Sequence, residues 1–249
     1  MKLSINSKMF LTENVYKLVR VPVKPCVKAT FRPIVLNADR IPTTGPVVFA
    51  PNHRETLDAF LVFCSIKQPV HWMALKRFFT GEDSIFDNNK NIVLCKMTAY
   101  AFRSIGAVPI IRDQDKDKYP GMDNVKSLKD FSSYLKAGGS IGIFPEGTTN
   151  KNPKARNLLP AKMSAFNLAK DGKSWIQPIS IVWTPQNLNL TNKVIINFRE
   201  PFKVEGKTCN DILYQWVETV NAGIEENKRI IEQLSEINEM TSKETKIKK

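Results

Sequence analysis

At 249 residues and 42% apolar composition, the chain is long enough to bury one sizeable core. Its 37 Lys and Arg against 24 Asp and Glu leave a net charge of +13, which favours anionic partners: nucleic acid, acidic lipid or an acidic carrier protein. Cys26, Cys64, Cys95 and Cys209 are too scattered for a zinc site or a disulfide framework, and no signal peptide or run of about 18 apolar residues is present, which fits reduced thiols in a cytosolic setting and no membrane crossing.

Residues 8–32 mix Val15, Leu18, Val19 and Val21 with Lys17, Arg20, Lys24 and Lys28, while Pro22 and Pro25 break the pattern. A short amphipathic helix and a kinked basic segment are expected within residues 1–30. Such a segment can lie in a lipid headgroup interface or pack on its own domain. Strand and helix patterns then alternate. The stretch 45–52, GPVVFAPN, reads as a buried strand, 56–66 as a largely buried helix and 70–75, VHWMAL, as the next strand. Residues 91–105 have helical spacing up to Gly106, and the strand AVPIIR follows. The helix 125–139 closes on Gly138 and Gly139 before SIGIFPEG, and the helix 161–172 closes on Gly172 before the strands IQPISIVW and KVIINF. A long helix over 209–236 precedes a Lys-rich tail, 241–249, expected to be disordered. This alternation predicts an α/β fold, one mainly parallel sheet flanked by helices, in a single catalytic domain over 31–240.

In such a sheet ligands gather at the carboxyl ends of the strands. Three polar turns fall there: Asn52 to Asp58, Ile111 to Asp113 and Phe144 to Asn150. His53 follows a strand and Asp58 opens a helix, so a folded-back loop can set the carboxylate on one imidazole nitrogen and leave the other free to take a proton. The alternative is an ordinary His and Asp near a helix start. No Gly-x-Ser-x-Gly elbow is present, and cysteines in apolar surroundings are inert, so a substrate hydroxyl or water would be the nucleophile. Arg112 at a strand end can grip phosphate or simply be solvated. Glu146 can position a hydroxyl or hold its turn, and Gly147 allows a ligand to approach the backbone closely.

The order Asn52-His53 to Asp58, Gly106 to Arg112, Phe144 to Thr148 and Gln177-Pro178-Ile179 resembles the glycerolipid acyltransferases, specifically the 1-acylglycerol-3-phosphate acyltransferases of the PlsC type, over residues 30–205. The resemblance implies that His53 is the general base and Asp58 its orienting partner. It also implies that Arg112 and Lys162 are ligands of the acceptor phosphate, and that Glu146, Gly147 and Thr148 form the stretch binding the glycerol backbone. The implied acceptor is of the lysophosphatidic acid type, and the implied donor is acyl-CoA or acyl-carrier protein. The product would be phosphatidic acid, made at the cytoplasmic face of an anionic membrane surface, with no cofactor, no metal and no nucleic acid. Helices 56–66 and 91–105 would line an acyl tunnel. Two departures stand out. Thr149 occupies the family's usual Arg position, with Lys151, Lys154 and Arg156 the neighbouring candidates to supply that charge, and Pro109 stands where an aromatic or apolar residue is commoner. Competing readings are another acceptor, such as glycerol 3-phosphate or a lysophospholipid, a thioesterase, or a basic lipid-binding module.

Overall fold

Five successive buried residues, Val47–Pro51, form strand β2, and burial on both faces is what a central strand of a parallel sheet requires. The computed structural model describes residues 5–81, 92–188 and 190–247. Helix α1 (Ile5–Phe31) and strand β1 (Ile34–Leu36) precede β2. After it come α2 (Asp58–Ser65), β3 (His71–Leu75), α3 (Arg77–Thr80), α4 (Ile92–Ser104) and β4 (Val108–Ile110). The chain continues through α5 (Val125–Lys136), β5 (Ile141–Gly142), α6 (Ser164–Asp171), β6 (Trp175–Trp183), β7 (Val194–Phe198), β8 (Phe202–Lys203) and α7 (Cys209–Ile247).

The strands form one sheet in the order β1-β7-β6-β2-β5-β3-β4, with β8 added on β6. Pairing is parallel from β6 through β2, β5 and β3 to β4, and again between β1 and β7; β7 and β8 run antiparallel to β6. The expected α/β class with a mainly parallel sheet is therefore what the chain adopts. Because side chains alternate along a strand, β2 serves two cores. Val48 and Ala50 pack with Phe131, Phe166 and Trp216 from α5, α6 and α7, whereas Val47 and Phe49 pack with Tyr16, Leu61 and Val62 from α1 and α2. Each large apolar side chain so buried contributes about 1.5–3 kcal/mol.

Helix α1 differs from the expected short helix and kink, since it runs unbroken through Pro22 and Pro25. Each proline removes the bond to the carbonyl four residues back, here Leu18 and Val21. Both residues are about three-quarters exposed, at 75% and 74%, so water can satisfy those carbonyls and the helix tolerates the loss. On the opposite face Tyr16 is fully buried, and its hydroxyl donates to Phe63 O (3.1 Å) at the end of α2. Burial pushes that phenol well above its ordinary range. Cys26 is exposed on α1, against the expectation of apolar surroundings for every cysteine; Cys64 fits it, its thiol pushed up to about 11 chiefly by burial.

Helix α7 also departs from expectation, continuing to Ile247 through most of the segment read as a disordered tail. Residues 236–247 contain no Gly or Pro to end it, and their Glu and Lys are good helix formers. The first four residues of the N-terminal segment and the last two of the tail lie outside the described residues, as does residue 91 at the start of the expected helix 91–105. Among the described residues no helix is long and apolar enough to cross a membrane.

Candidate active site

The turn after β2 begins with a side chain that imitates backbone. Asn52 is fully buried; its amide donates to Ile181 O (3.0 Å) and its Oδ1 accepts from Ile181 N–H (2.6 Å). The β2–β6 ladder is thereby continued one residue beyond the strand, and His53 leaves the sheet from a fixed point. Its carbonyl accepts from Asn150 N–H (2.8 Å), in a turn that the Asn150 side chain ties to Arg156 O (2.7 Å).

His53 Nδ1 lies 3.0 Å from Asp58 Oδ2. Asp58 is fully buried in the first turn of α2, where the helix dipole favours a negative charge. The same oxygen accepts from the amides of Arg54 (2.5 Å) and Glu55 (2.7 Å), and Oδ1 accepts from Trp183 Nε1–H (2.9 Å). With this acceptor on Nδ1, the imidazole proton is placed there and the lone pair on Nε2, on the opposite side of the ring. The ring plane is set by Phe144, stacked at 4.0 Å and 24°. Phe144 in turn leans on Trp72 (5.9 Å), which covers Gly142 so closely that a Cβ there would fall 2.4 Å from the indole.

Glu146, expected to contact the glycerol backbone or to hold its turn, has both carboxylate oxygens bonded to backbone. It is buried, and its two oxygens accept from His53 N–H and Leu159 N–H, each at 2.7 Å. Burial raises its pKa, partly opposed by those two amides and by the charge of Arg54. Glu146 thus joins the His53 turn to the 157–160 segment. Gly147 adopts φ +67°, a left-handed conformation that favours glycine, and the Lys162 stem lies over it, 2.9 Å from where a Cβ would be. Lys162 is exposed, its backbone N–H bonded to Pro145 O (2.8 Å), and Thr148 is exposed beside it.

Arg112 sits at the end of β4. The strand order puts β4 three strands from β2, about 14 Å at the usual spacing of neighbouring strands. His53 touches both Asp58, through its ring, and Glu146, through its backbone N–H, whereas Arg112 lies toward the far end of the same carboxyl edge. Its Nε is buried without a hydrogen-bond partner. Burial, and then the like charge of Arg77, lower its pKa, with Asp115 opposing. Lys162 belongs to this neighbourhood too: Asp113 is held low first by the hydrogen bond and charge of Lys116, and more weakly by Lys162. Among the described residues no three His, Cys, Asp or Glu side chains converge as a metal site requires.

The family model described as Acyltransferase matches residues 32–182, more than half of the chain and every side chain described above as shaping the His53 site except Trp183. The chain belongs to the acyltransferase family. Two curated relatives, 1-acyl-sn-glycerol-3-phosphate acyltransferases of chloroplasts from Brassica napus and Arabidopsis thaliana, are each 24% identical over 152 residues, 61% of this chain. That stretch is 37% and 36% of their lengths, so this acyltransferase matches little more than a third of either. The crystal structure of PlsC from Thermotoga maritima, a 1-acyl-sn-glycerophosphate acyltransferase, superposes with a TM-score of 0.62 at 18% identity, covering 86% of this chain and 81% of that one. At that identity the likeness shows a shared fold.

Three residues of the acyltransferase site escape sequence reasoning. Trp183 lies 125 residues from Asp58 and nothing in the sequence links them. Phe144 stands inside the Phe-Pro-Glu-Gly-Thr stretch, but its stacking on His53 has no sequence signal. Asn150 closes the third polar turn, and only its burial reveals a structural role. Of the three cations considered as substitutes at position 149, all are exposed, and Lys151 acts on Glu55 beside the His53 turn. In α4, one of the two helices expected to line an acyl tunnel, Ile92, Met97 and Tyr100 are 62%, 63% and 75% exposed.

Proposed function

We propose that this acyltransferase moves a fatty acyl group from acyl-CoA or acyl-carrier protein to the free hydroxyl of 1-acylglycerol 3-phosphate, giving phosphatidic acid at the cytoplasmic face of an anionic membrane. One observation carries the reading: His53 is oriented by a carboxylate with donors on both oxygens, and the groups that hold it, Asp58, Phe144, Glu146 and Asn150, include no nucleophile. A base without an enzyme nucleophile deprotonates the acceptor itself. His53 Nε2 takes the hydroxyl proton as the oxygen attacks the thioester carbonyl, and Asp58 stabilises the imidazolium. When the tetrahedral intermediate collapses, the C–S bond breaks and the proton passes from Nε2 to the departing sulfur. Arg112 and Lys162 hold the acceptor phosphate, Gly147 and Thr148 border the glycerol, and Glu146 acts one step back by fixing the His53 backbone. The names of the two chloroplastic relatives and of the Thermotoga protein support this acceptor.

The test is thioester consumption by the purified protein, with acyl-CoA and acyl-carrier protein in parallel, with and without 1-acylglycerol 3-phosphate, glycerol 3-phosphate or a headgroup-bearing lysophospholipid. Consumption should depend on the first acceptor. His53→Ala should lower kcat about 10²–10⁴-fold, the usual loss for a positioned general base, with the melting temperature retained. Acceptor-independent consumption would make the protein a thioesterase, and activity of His53→Ala within threefold of wild type would remove the base.

A further inference from the structure

The loop that follows Thr149 is built around one buried side chain. Asn150 donates its amide to Arg156 O (2.7 Å) and Asn157 O (3.3 Å), and its Oδ1 accepts from Asn152 N–H (3.1 Å). Asn152 repeats the device: its Oδ1 accepts from Ala155 N–H and its carbonyl from Arg156 N–H, each at 3.3 Å. Residues 151–156 are thereby held as a closed turn although all six are exposed, and Lys151, Lys154 and Arg156 stand on it. Among the described residues none of these three cations is in an ion pair. The two ends of the turn fix its direction. At its start Asn150 N–H bonds to His53 O (2.8 Å), just beyond β2. At its end Asn157 donates to Glu225 Oε1 (2.7 Å) and accepts from Lys228 Nζ (2.9 Å), both on α7. Asn227, next to Lys228, donates to Ser180 O of β6 and accepts from the Asn197 amide of β7, each at 3.1 Å. Strands β6 and β7 lie on one side of β2, and β5, β3 and β4 lie on the other. The cationic turn therefore leads away from His53 toward β6, opposite to Arg112 at the end of β4.

We propose that the turn 151–156 is the anion site of the acyl donor, where Lys151, Lys154 and Arg156 receive the phosphate at the far end of the pantetheine arm, the feature that acyl-CoA and acyl-carrier protein share. This rests on the proposed transfer from such a thioester. The two substrates meet at His53 with their phosphates remote from the reacting atoms, so holding both at once takes anion sites on opposite sides of the base. Arg112, assigned to the acceptor, lies on the β4 side, and the turn 151–156 lies on the β6 side. Lys154 stands four residues from Asn150, so their Cα atoms are at most about 14 Å apart. The arm carries two amide units between sulfur and phosphate and can cover such a span. Ammonium and guanidinium groups both bind phosphate, the latter as a planar fork. Because the turn is already closed by the two asparagines, little backbone freedom is lost when an anion binds. Lys151 also acts on Glu55, so Lys154 and Arg156 form the cleaner pair to test.

The experiment pairs kinetics with direct binding. Lys154→Ala with Arg156→Ala should raise the donor KM roughly 5- to 30-fold, the loss of two exposed charge contacts, with the acceptor KM changed less than about twofold. The charge-keeping exchange, Lys154→Arg with Arg156→Lys, should restore most of the donor KM. Calorimetric titration with 4′-phosphopantetheine and with pantetheine needs no acyl transfer. Wild type should prefer the phosphorylated compound, and the double Ala variant should lose that preference while circular dichroism shows the fold intact. Acyl-CoA and acyl-carrier protein run in parallel distinguish the sources of the phosphate, the donor with the larger KM effect being the one the turn serves. An effect with acyl-carrier protein and none on 4′-phosphopantetheine would mean that the turn meets the acidic surface of that protein, and would overturn the phosphate site. If transfer runs and the acceptor KM rises instead, the cations belong to the acceptor and the donor site falls while the proposed function stands. An unchanged donor KM has the same consequence. If 4′-phosphopantetheine binds through the turn but no acyl group moves, the proposed function fails and the phosphate site stands. If neither binding nor transfer occurs, both fall.

Discussion

Asp58 is embraced by donors from three directions: the loop amides, the imidazole and the indole of Trp183. The indole matters most to specificity of geometry, because among the described residues it is the donor that reaches Oδ1, leaving Oδ2 to the imidazole and the two amides. Trp183→Phe keeps the ring's packing, including its edge contact with Phe31 at 5.9 Å, but leaves Oδ1 buried without that donor. The expected cost is about 1.5–3 kcal/mol, as for a hydrogen bond to a charged group. We predict a fall of about 10- to 100-fold in kcat with little change in either KM, since Asp58 touches neither substrate in the proposed mechanism. Steady-state kinetics with each substrate varied checks this; an unchanged kcat would make the indole bond purely structural. The His53–Asp58 pair was legible because its members stand only five positions apart. The indole was not, because only the β2–β6 pairing brings position 183 to the site.

At the scale of elements, His71 joins three of them. It begins β3, stacks on Tyr134 of α5 at 3.7 Å and 8°, and sends Nδ1 to Gly106 O (3.0 Å) just beyond α4. Burial lowers its pKa from the ordinary 6.5, with the Gly106 carbonyl opposing. The unfolded chain therefore binds this proton more readily than the native one, and unfolding takes it up between the lowered value and 6.5. The contribution of His71 is fully present above about pH 6.5 and is lost as the pH falls through the lowered native value. Urea midpoints measured at pH 8 and pH 5.5 should drop more steeply for wild type than for His71→Gln; equal slopes would assign the acid sensitivity to other groups. The helices ending on Gly106, Gly138 and Gly172 were readable because a glycine stop is a local signal. Helix α1 was not, because whether a proline breaks a helix depends on which carbonyl loses its partner and whether water can reach it. For Glu146 the sequence left ligand contact and turn-holding open, and the partners of its two oxygens, on loops far apart in the chain, were not readable from its place beside a glycine.

For the whole molecule, the charge of +13 acquires a location. A groove of about 470 Å³ along α1 is lined by Lys17, Arg20, Lys24, Lys28 and Lys67 together with Tyr16, Val21 and Pro25. None of His53, Asp58 and Arg112 lines it, so it is a surface separate from the proposed chemistry. Leu18 and Val21 project from α1, and Ile92, Met97 and Tyr100 project from α4, which touches α1. Apolar side chains ringed by cations suit an anionic bilayer, where each Lys or Arg near the surface contributes about 1 kcal/mol and the attraction fades with added salt. Tyr16 is part of the core, so removing α1 would damage the fold and its binding together. Leu18→Glu with Val21→Glu alters only exposed positions and separates the two effects. We predict that the double variant keeps its melting temperature within a few degrees, about the shift expected for surface changes below 0.5 kcal/mol each. Its sedimentation with vesicles of phosphatidylcholine and phosphatidylglycerol should fall well below that of wild type, and wild-type binding should weaken at 0.5 M salt, where the Debye length is roughly 4 Å. Equal sedimentation of the two proteins would take α1 off the membrane and leave its cationic groove without that partner.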